Sequence, residues 1–263
     1  MSAFVGIDLG TSYSCIAYID NTGRPQVIPN KDGENITPSV VAIQEFDGKE
    51  VVEVGTWAYE TWGFDKTKAH ARFKRQMHET DLEIQLGKNS YTPADLSSFV
   101  LKKLVQDAKD QLGEIEEVVI SIPANFPNEA REATLRSGDL AGLKVNFIVN
   151  EPTAAALYYS FLNQEALNGI YAVYDLGGGT FDFSVIEVKD NEVNVINSDG
   201  IQKCGGDDFD KLLYDLIVDK YIEKTQDEIN DLDFNLTHAE KAKRSLTSKE
   251  KALVKVGKEI IEI

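Results

Sequence analysis

Phe4-Val5-Gly6-Ile7-Asp8-Leu9-Gly10-Thr11-Ser12-Tyr13-Ser14 and Tyr171-Ala172-Val173-Tyr174-Asp175-Leu176-Gly177-Gly178-Gly179-Thr180-Phe181-Asp182 carry the same Asp-Leu-Gly tripeptide, each time at the end of an apolar run. Each segment passes through glycine and hydroxyl residues and then re-enters an apolar stretch, at 15–19 in the first and 183–188 in the second. Strand, glycine-hydroxyl turn and strand make a β-hairpin whose tip exposes backbone N–H groups, and such groups bind anions, phosphate above all. Two such tips facing each other could hold one polyphosphate between two lobes.

Working outward, residues 4–9, 15–20 and 25–29 read as consecutive strands of a meander, and 40–43 and 51–54 as shorter strands around the Asp47-Gly48 turn. Residues 56–88, with Trp57, Trp62 and Phe73 among many charges, read as short helices in an insertion. The clearest helix is 92–112. Thr92 suits its N-cap, Pro93 its first turn, and Asp95 stands three residues after the cap. Leu96, Phe99, Val100, Leu104 and Ala108 share one face, and Gly113 follows the end. Residues 117–122 form a strand stopped by Pro123, 130–140 a helix, 145–149 a strand, and 152–162 a helix with Pro152 in its first turn. After Asn168-Gly169 the second copy supplies strands at 171–175, 182–188 and 192–198, then helices at 207–224 and 237–246 and the start of a hairpin at 253–263. Tandem strand-helix-strand-helix order predicts two related α/β lobes with mixed sheets. Lobe I is expected at 1–165, with a small inserted subdomain at about 38–90. The core of lobe II is expected to begin at 166–204 and its outer helical and β subdomain at 205–263. The second lobe reads as incomplete, so residue 263 is expected to be a truncation point. Binding of ATP by these residues alone is expected to be weaker than by a completed domain, and apolar surface is expected to lie exposed.

Among 263 residues, 42% are hydrophobic and the net charge is −17. That charge argues against a nucleic-acid or anionic-membrane partner. It does not oppose a bound nucleotide, because N–H donors and a divalent cation act at contact distance whereas distant surface charges are screened. No apolar run is long enough to span a membrane, and Met1-Ser2-Ala3-Phe4-Val5 lacks a basic region ahead of an apolar one, so no secretory signal is expected. Cys15 and Cys204 alone imply no disulfide framework and suit a reducing, cytoplasmic setting.

Asp8 and Asp175 each end a strand beside a phosphate-sized loop. Two carboxylates so placed can hold Mg²⁺ largely through its retained waters, with phosphate oxygens completing the shell. Thr11, Ser12 and Thr180 offer hydroxyls, and Gly10, Gly177, Gly178 and Gly179 allow close approach of backbone and phosphate. Other nucleotide signatures are missing. Gly87-Lys88-Asn89-Ser90 lacks the upstream glycine of a P-loop, and Gly177-x-Gly179 meets Asp182 where a dinucleotide fingerprint needs glycine. His70, His78 and His238 have no metal-ligand spacing and read as solvated helix positions.

These residues resemble a known family. The whole chain is similar to the nucleotide-binding domain of the seventy-kilodalton heat-shock chaperones, within the actin-like (ribonuclease H-like) ATPase superfamily. The resemblance rests on the segment 6–15, on Asn150-Glu151-Pro152-Thr153-Ala154-Ala155-Ala156, on the segment 175–182, and on Gly205-Gly206-Asp207-Asp208-Phe209-Asp210. It implies a slow, Mg²⁺-dependent ATP hydrolase that couples ATP or ADP binding to the capture of unfolded client peptides by a further domain, with co-chaperones as partners. It also implies residue roles. Residues 10–13 would be the first phosphate loop and 178–180 the second. Asp8 and Asp175 would hold Mg²⁺ through water, and Glu151 and Asp182 would line the water and metal cluster. Lys74 would orient the attacking water, with Thr180 and Asp175 beside it. Pro123 falls at the family's switch position. Gly205, Gly206, Glu240, Lys243, Arg244 and Thr247 would grip the adenosine, with Arg244 stacked on the purine.

The chain also departs from the family pattern. Asn146 and Phe147 stand where members contacted by J-domain partners carry a basic residue, and Asn125 and Pro127 replace the usual Tyr and Asn near the switch proline. Ordinary J-domain stimulation and lobe-to-lobe signalling are therefore not expected, and a divergent paralogue is. Three other readings stay open on the residues alone: a small-molecule kinase of the same superfamily, a nucleotide-dependent filament protein, and a domain that only scaffolds or senses nucleotide.

Overall fold

Period-two alternation in the first strand decides which way Asp8 points. Val5, Ile7 and Leu9 are buried while Phe4 and Asp8 lie exposed on the opposite face, as side chains on a strand must alternate. A computed structural model describes residues 3–164, 166–190, 192–201 and 203–263. In chain order these form β1 (Ala3–Asp8), β2 (Tyr13–Ile19), β3 (Pro25–Val27), β4 (Thr37–Pro38), β5 (Val40–Phe46), β6 (Lys49–Val54), α1 (Thr56–Phe64), β7 (Ala69–Ala71), a 3₁₀ turn at Phe73–Gln76, β8 (Ile84–Leu86) and β9 (Asn89–Tyr91). There follow α2 (Pro93–Leu112), β10 (Ile115–Ile122), α3 (Asn128–Leu140), β11 (Val145–Asn150), α4 (Glu151–Asn163), β12 (Gly169–Leu176), β13 (Phe181–Lys189), β14 (Glu192–Ile201), α5 (Gly206–Thr225), α6 (Leu236–Leu246), β15 (Leu253–Val256) and β16 (Glu259–Glu262).

The first sheet runs β11-β10-β1-β2-β3, with β4 paired to β2. It is mixed: β10 lies parallel to both β1 and β11, and β2 lies antiparallel to β1. The main core forms where Leu96, Val100, Leu101 and Leu104 of α2 meet Val5, Ile7, Ile16 and Ile120. The expected capping box of α2 is present: Asp95 N–H donates to Thr92 Oγ1 at 3.2 Å, and Thr92 N–H donates to Asp95 Oδ2 at 2.8 Å. Because α2 covers one face of the sheet, Asp8 and Ser121 are left on the other.

The second sheet, β12-β13-β14, is antiparallel throughout. Tyr171 and Val173 pack toward Ala156, Ile186 and Val188. Asp175, next on that side of β12, reaches the strand end. The two hairpins share one register. Asp8 pairs with Cys15 and Asp175 with Asp182, so six residues intervene in both. The opposite side of this sheet exposes Ile170, Tyr174, Leu176, Phe183 and Ile201.

The segment 56–88 differs from its sequence reading. Only α1 and one 3₁₀ turn are helical. Ala69–Ala71 joins β5 as an antiparallel edge, and Ile84–Leu86 folds back on Asn89–Tyr91 around Gly87, whose φ is 60°. Strands of three residues are too short to display a period. His70 accordingly lies on β7, partly buried, and His238 Nδ1 accepts the Asn235 N–H at 3.1 Å at the start of α6. His70 is therefore not on a helix, and His238, although on α6, is half-buried. Among the described residues no helix is long and apolar enough to cross a membrane.

Candidate functional site

The tips of the β1–β2 and β12–β13 hairpins touch. A methyl group built on Gly178 would lie 2.1 Å from Ser12 Oγ, and one on Gly179 would lie 2.7 Å from Thr11 Cγ2. Between and below the tips opens a cleft of ≈ 730 Å³, lined by Asp8, Gly10, Thr11, Ser12 and Tyr13 from the first and Asp175, Gly177, Gly178 and Thr180 from the second. Lys74, Glu151, Gly206, Glu240, Lys243 and Pro123 complete its walls. These expected residues are therefore brought together.

Each tip is held from behind. Gly10 N–H donates to Ser14 Oγ at 3.1 Å, and that hydroxyl meets Ser39 Oγ at 2.8 Å. Gly177 N–H donates to the Thr180 carbonyl at 2.9 Å. The start of α5 then docks on the second tip, as Gly206 N–H donates to Gly177 O at 3.1 Å and Asp207 N–H to Gly178 O at 2.7 Å. Such close backbone approach needs glycine at 205: a methyl group there would meet Gly177 O, Gly178 C and Gly178 O, all at 2.7 Å. Asp207 ties the start of α5 to the first tip, accepting from Ser12 Oγ at 3.2 Å, and pairs with Arg72 Nε at 2.7 Å.

At the base of the cleft Lys74 is only 7% exposed, and its Nζ donates to Glu151 Oε1 at 2.8 Å. The ring of Phe126 lies 5.7 Å from the same nitrogen. Burial pushes the Glu151 carboxyl up, against the pull of the Lys74 ammonium. Asp175 is likewise raised, by burial first and then by Asp182 and Asp8. Asp175 and Asp182 stand directly opposite each other across the strand pair, an arrangement that is destabilising for like charges. Asp8 accepts from Ser121 Oγ, and Asp182 accepts from Asn125 Nδ2, both at 2.9 Å.

Asp8, Asp175 and Glu151 thus share one ammonium, with Asp182 beside Asp175, and that excess of negative charge fits a divalent cation. Among the described residues no three His, Cys, Asp or Glu side chains converge tightly enough to ligate a metal directly. The donor set fits Mg²⁺ held through its own waters, which this ion sheds reluctantly.

Several expected residues fall elsewhere. Gly179, Asp182 and Gly205 stand behind the lining: the Gly179 carbonyl accepts from Arg75, and Gly205 N–H donates to Asp208 Oδ2 at 2.9 Å. The Arg244 guanidinium, expected on a purine, covers the Tyr13 ring at 4.9 Å and pairs with Glu240 at 3.1 Å. An acidic and an aromatic neighbour within reach hold it there. Thr247 is the exposed C-cap of α6, outside the lining. Lys243 reaches back to the Gly206 carbonyl and to Asp210, both at 2.8 Å. Sequence reasoning missed Arg75 and Tyr59. Arg75 was legible only as the neighbour of Lys74, and Tyr59 sits in a segment with no interpretable pattern.

The Hsp70 protein family model matches residues 4–80 and 64–261. The chain belongs to the Hsp70 family. A similar relative is the chaperone protein DnaK of Thermotoga neapolitana, 44% identical over 218 residues that make up 82% of this chain and 36% of that protein. The chain therefore spans about a third of the length of this curated relative. The fold is the actin-like ATPase fold of the Hsp70 family, and the repeated Asp-Leu-Gly hairpins lie within the matched residues.

Proposed function

We propose that this Hsp70-family chain binds ATP with Mg²⁺ and hydrolyses it slowly to ADP and phosphate, as the nucleotide-driven part of a chaperone. The observation that carries this reading is the meeting of two equal-length hairpin tips over one cleft with the Lys74–Glu151 pair at its base. Backbone N–H groups within the two tips, 11–13 in the first and 178–180 in the second, take the phosphate oxygens, because no Cβ intervenes at the glycines. Mg²⁺, when bound near Asp8, Asp175 and Asp182, neutralises charge on the phosphate oxygens. Lys74 Nζ, fixed by Glu151, orients a water in line with the γ-phosphorus, and the Thr180 hydroxyl hydrogen-bonds at the same place. The new P–O bond forms as the β–γ bridge bond breaks, so positioning and electrostatics supply the catalysis.

Glu240 and Lys243 line, and Arg244 backs, the α6 wall of the cleft, where the adenosine lies. In the longer protein, nucleotide state governs the holding of unfolded client peptides. The free Cys15 and Cys204 suit the cytoplasm. J-domain contact is weakened here: Asn146 is committed to Glu117, and Phe147, 68% exposed, gives no basic side chain to the same surface.

Single-turnover assays with radiolabelled ATP test the reading. Expected is Mg²⁺-dependent release of ADP and phosphate without an added acceptor, abolished by chelation. Turnover strictly dependent on an added sugar would establish the kinase reading instead.

A further inference from the structure

The turn between β10 and α3 is exposed at its tip but held firmly from both sides. Pro123 and Pro127 bracket it, and Phe126 N–H donates to Pro123 O at 3.2 Å. Arg131, one turn into α3, donates through Nε to Phe126 O and through a terminal nitrogen to Ala124 O, both at 3.1 Å. Two consecutive residues of this clamped turn reach different parts of the site. The Phe126 ring stands beside the Lys74 ammonium. Asn125 Nδ2 crosses to β13 and donates to Asp182 Oδ1 at 2.9 Å. That oxygen has room because β14 passes it with a glycine. Gly200 pairs with Asp182 across the ladder, and a methyl group built on Gly200 would lie 2.6 Å from Asp182 Oδ1 and 3.2 Å from Asn125 Nδ2.

Asp182 stands opposite Asp175 on the neighbouring strand, and among the described residues its Oδ2 accepts no hydrogen bond. A carboxylate with one oxygen committed to a fixed donor keeps its orientation, and such outer partners tune metal affinity. We propose that Asn125 is a positioning residue for the metal: by occupying Oδ1 of Asp182 it fixes Oδ2 as an acceptor for the water shell of Mg²⁺, and so strengthens the binding of Mg²⁺ together with the nucleotide. The inference rests on the nucleotide reading above. A carboxylate already held in place binds more tightly than one that must be ordered on contact, and the clamp of Arg131 on the turn is what makes the Asn125 amide a fixed donor.

The test is calorimetric titration of the full chain with ATP, once in excess Mg²⁺ and once in EDTA, each carried to millimolar nucleotide, in the wild type and in Asn125→Leu. Leu has nearly the size of Asn but no donor, and the position is exposed. The ratio of the two affinities measures the coupling of metal to nucleotide, and the chemistry of Mg²⁺ with free ATP is common to both proteins. Expected in Asn125→Leu is a ratio about tenfold below the wild type, the low end for loss of an outer partner of a metal site, with the affinity in EDTA changed by less than about twofold. An unchanged ratio, or an equal fall of both affinities as a merely structural role would give, overturns the proposal and leaves the nucleotide reading intact. A wild type that binds ATP no more tightly with Mg²⁺ than in EDTA overturns the proposal and the place of the metal in that reading. A wild type that binds no ATP under either condition overturns both. Should Asn125→Leu fail to fold, Asn125→Ala supplies the same ratio.

Discussion

Lys74→Ala is expected to lower single-turnover ATP hydrolysis by about 10²–10³-fold, the usual consequence of removing one preorganised group from a transition state, while ATP affinity changes by less than about threefold. The reason is position. Lys74 is buried beneath the tips, paired with Glu151 at 2.8 Å, and is the ammonium set among Glu151, Asp8 and Asp175. The phosphate-binding N–H groups belong to other residues and stay in place. Removing one member of a buried pair also costs stability, of the order of 3–5 kcal/mol where the remaining charge cannot adapt. Glu151 can adapt. Its carboxyl is already raised by burial and is drawn down only by Lys74, so without Lys74 it takes up a proton more readily and the loss is smaller. Rapid-quench measurement of labelled ATP cleavage decides the matter, with the melting temperature followed in parallel. Hydrolysis at the wild-type rate in a folded Lys74→Ala protein would remove Lys74 from the mechanism.

Gly10→Ala is expected to weaken ATP binding by about a hundredfold or more, the loss of two or more hydrogen bonds to charged oxygens. A methyl group at this position would lie 2.0 Å from Tyr13 O. That atom is backbone within the same loop, so relief requires the tip to open. Opening also strains the bond from Gly10 N–H to Ser14 Oγ and shifts Ser12 and Thr11 away from the second tip. The requirement here is space and not an unusual dihedral angle, since Gly10 is not among the glycines with positive φ. Calorimetric titration of a folded Gly10→Ala protein with Mg²⁺-ATP checks it, and wild-type affinity would mean that the first tip does not hold phosphate.

Much of the site was legible because its signals are local. Asp-Leu-Gly followed by hydroxyls and a second apolar run declares a hairpin tip within a dozen residues, and the Thr92–Asp95 box declares the start of α2. Lys74 carries no such signal. It lies on a single 3₁₀ turn between charged neighbours, and only tertiary packing under Glu151 and Phe126 distinguishes it from a solvated lysine, so a resemblance to the family was needed to find it. Tyr59 was invisible for a related reason: its partner Glu240 belongs to a helix far along the chain, and α1 has no marked apolar face. The strands Ala69–Ala71 and Ile84–Leu86 were lost because pairing with β5 and β9, not residue preference, makes them strands. The contact of Arg244 with the Tyr13 ring was not legible because the two residues lie far apart in the chain.

Replacing Mg²⁺ with Mn²⁺ and recording amide spectra of the ATP-bound chain tests the shared cleft most directly, because a paramagnetic ion broadens every nearby resonance at once. Bound Mn²⁺-ATP should broaden residues 10–13 and 177–180 together, with Asp8 and Asp175, and leave α2 untouched. Broadening confined to one hairpin, or spread over surface carboxylates with both tips sharp, would contradict an ATP held between the two.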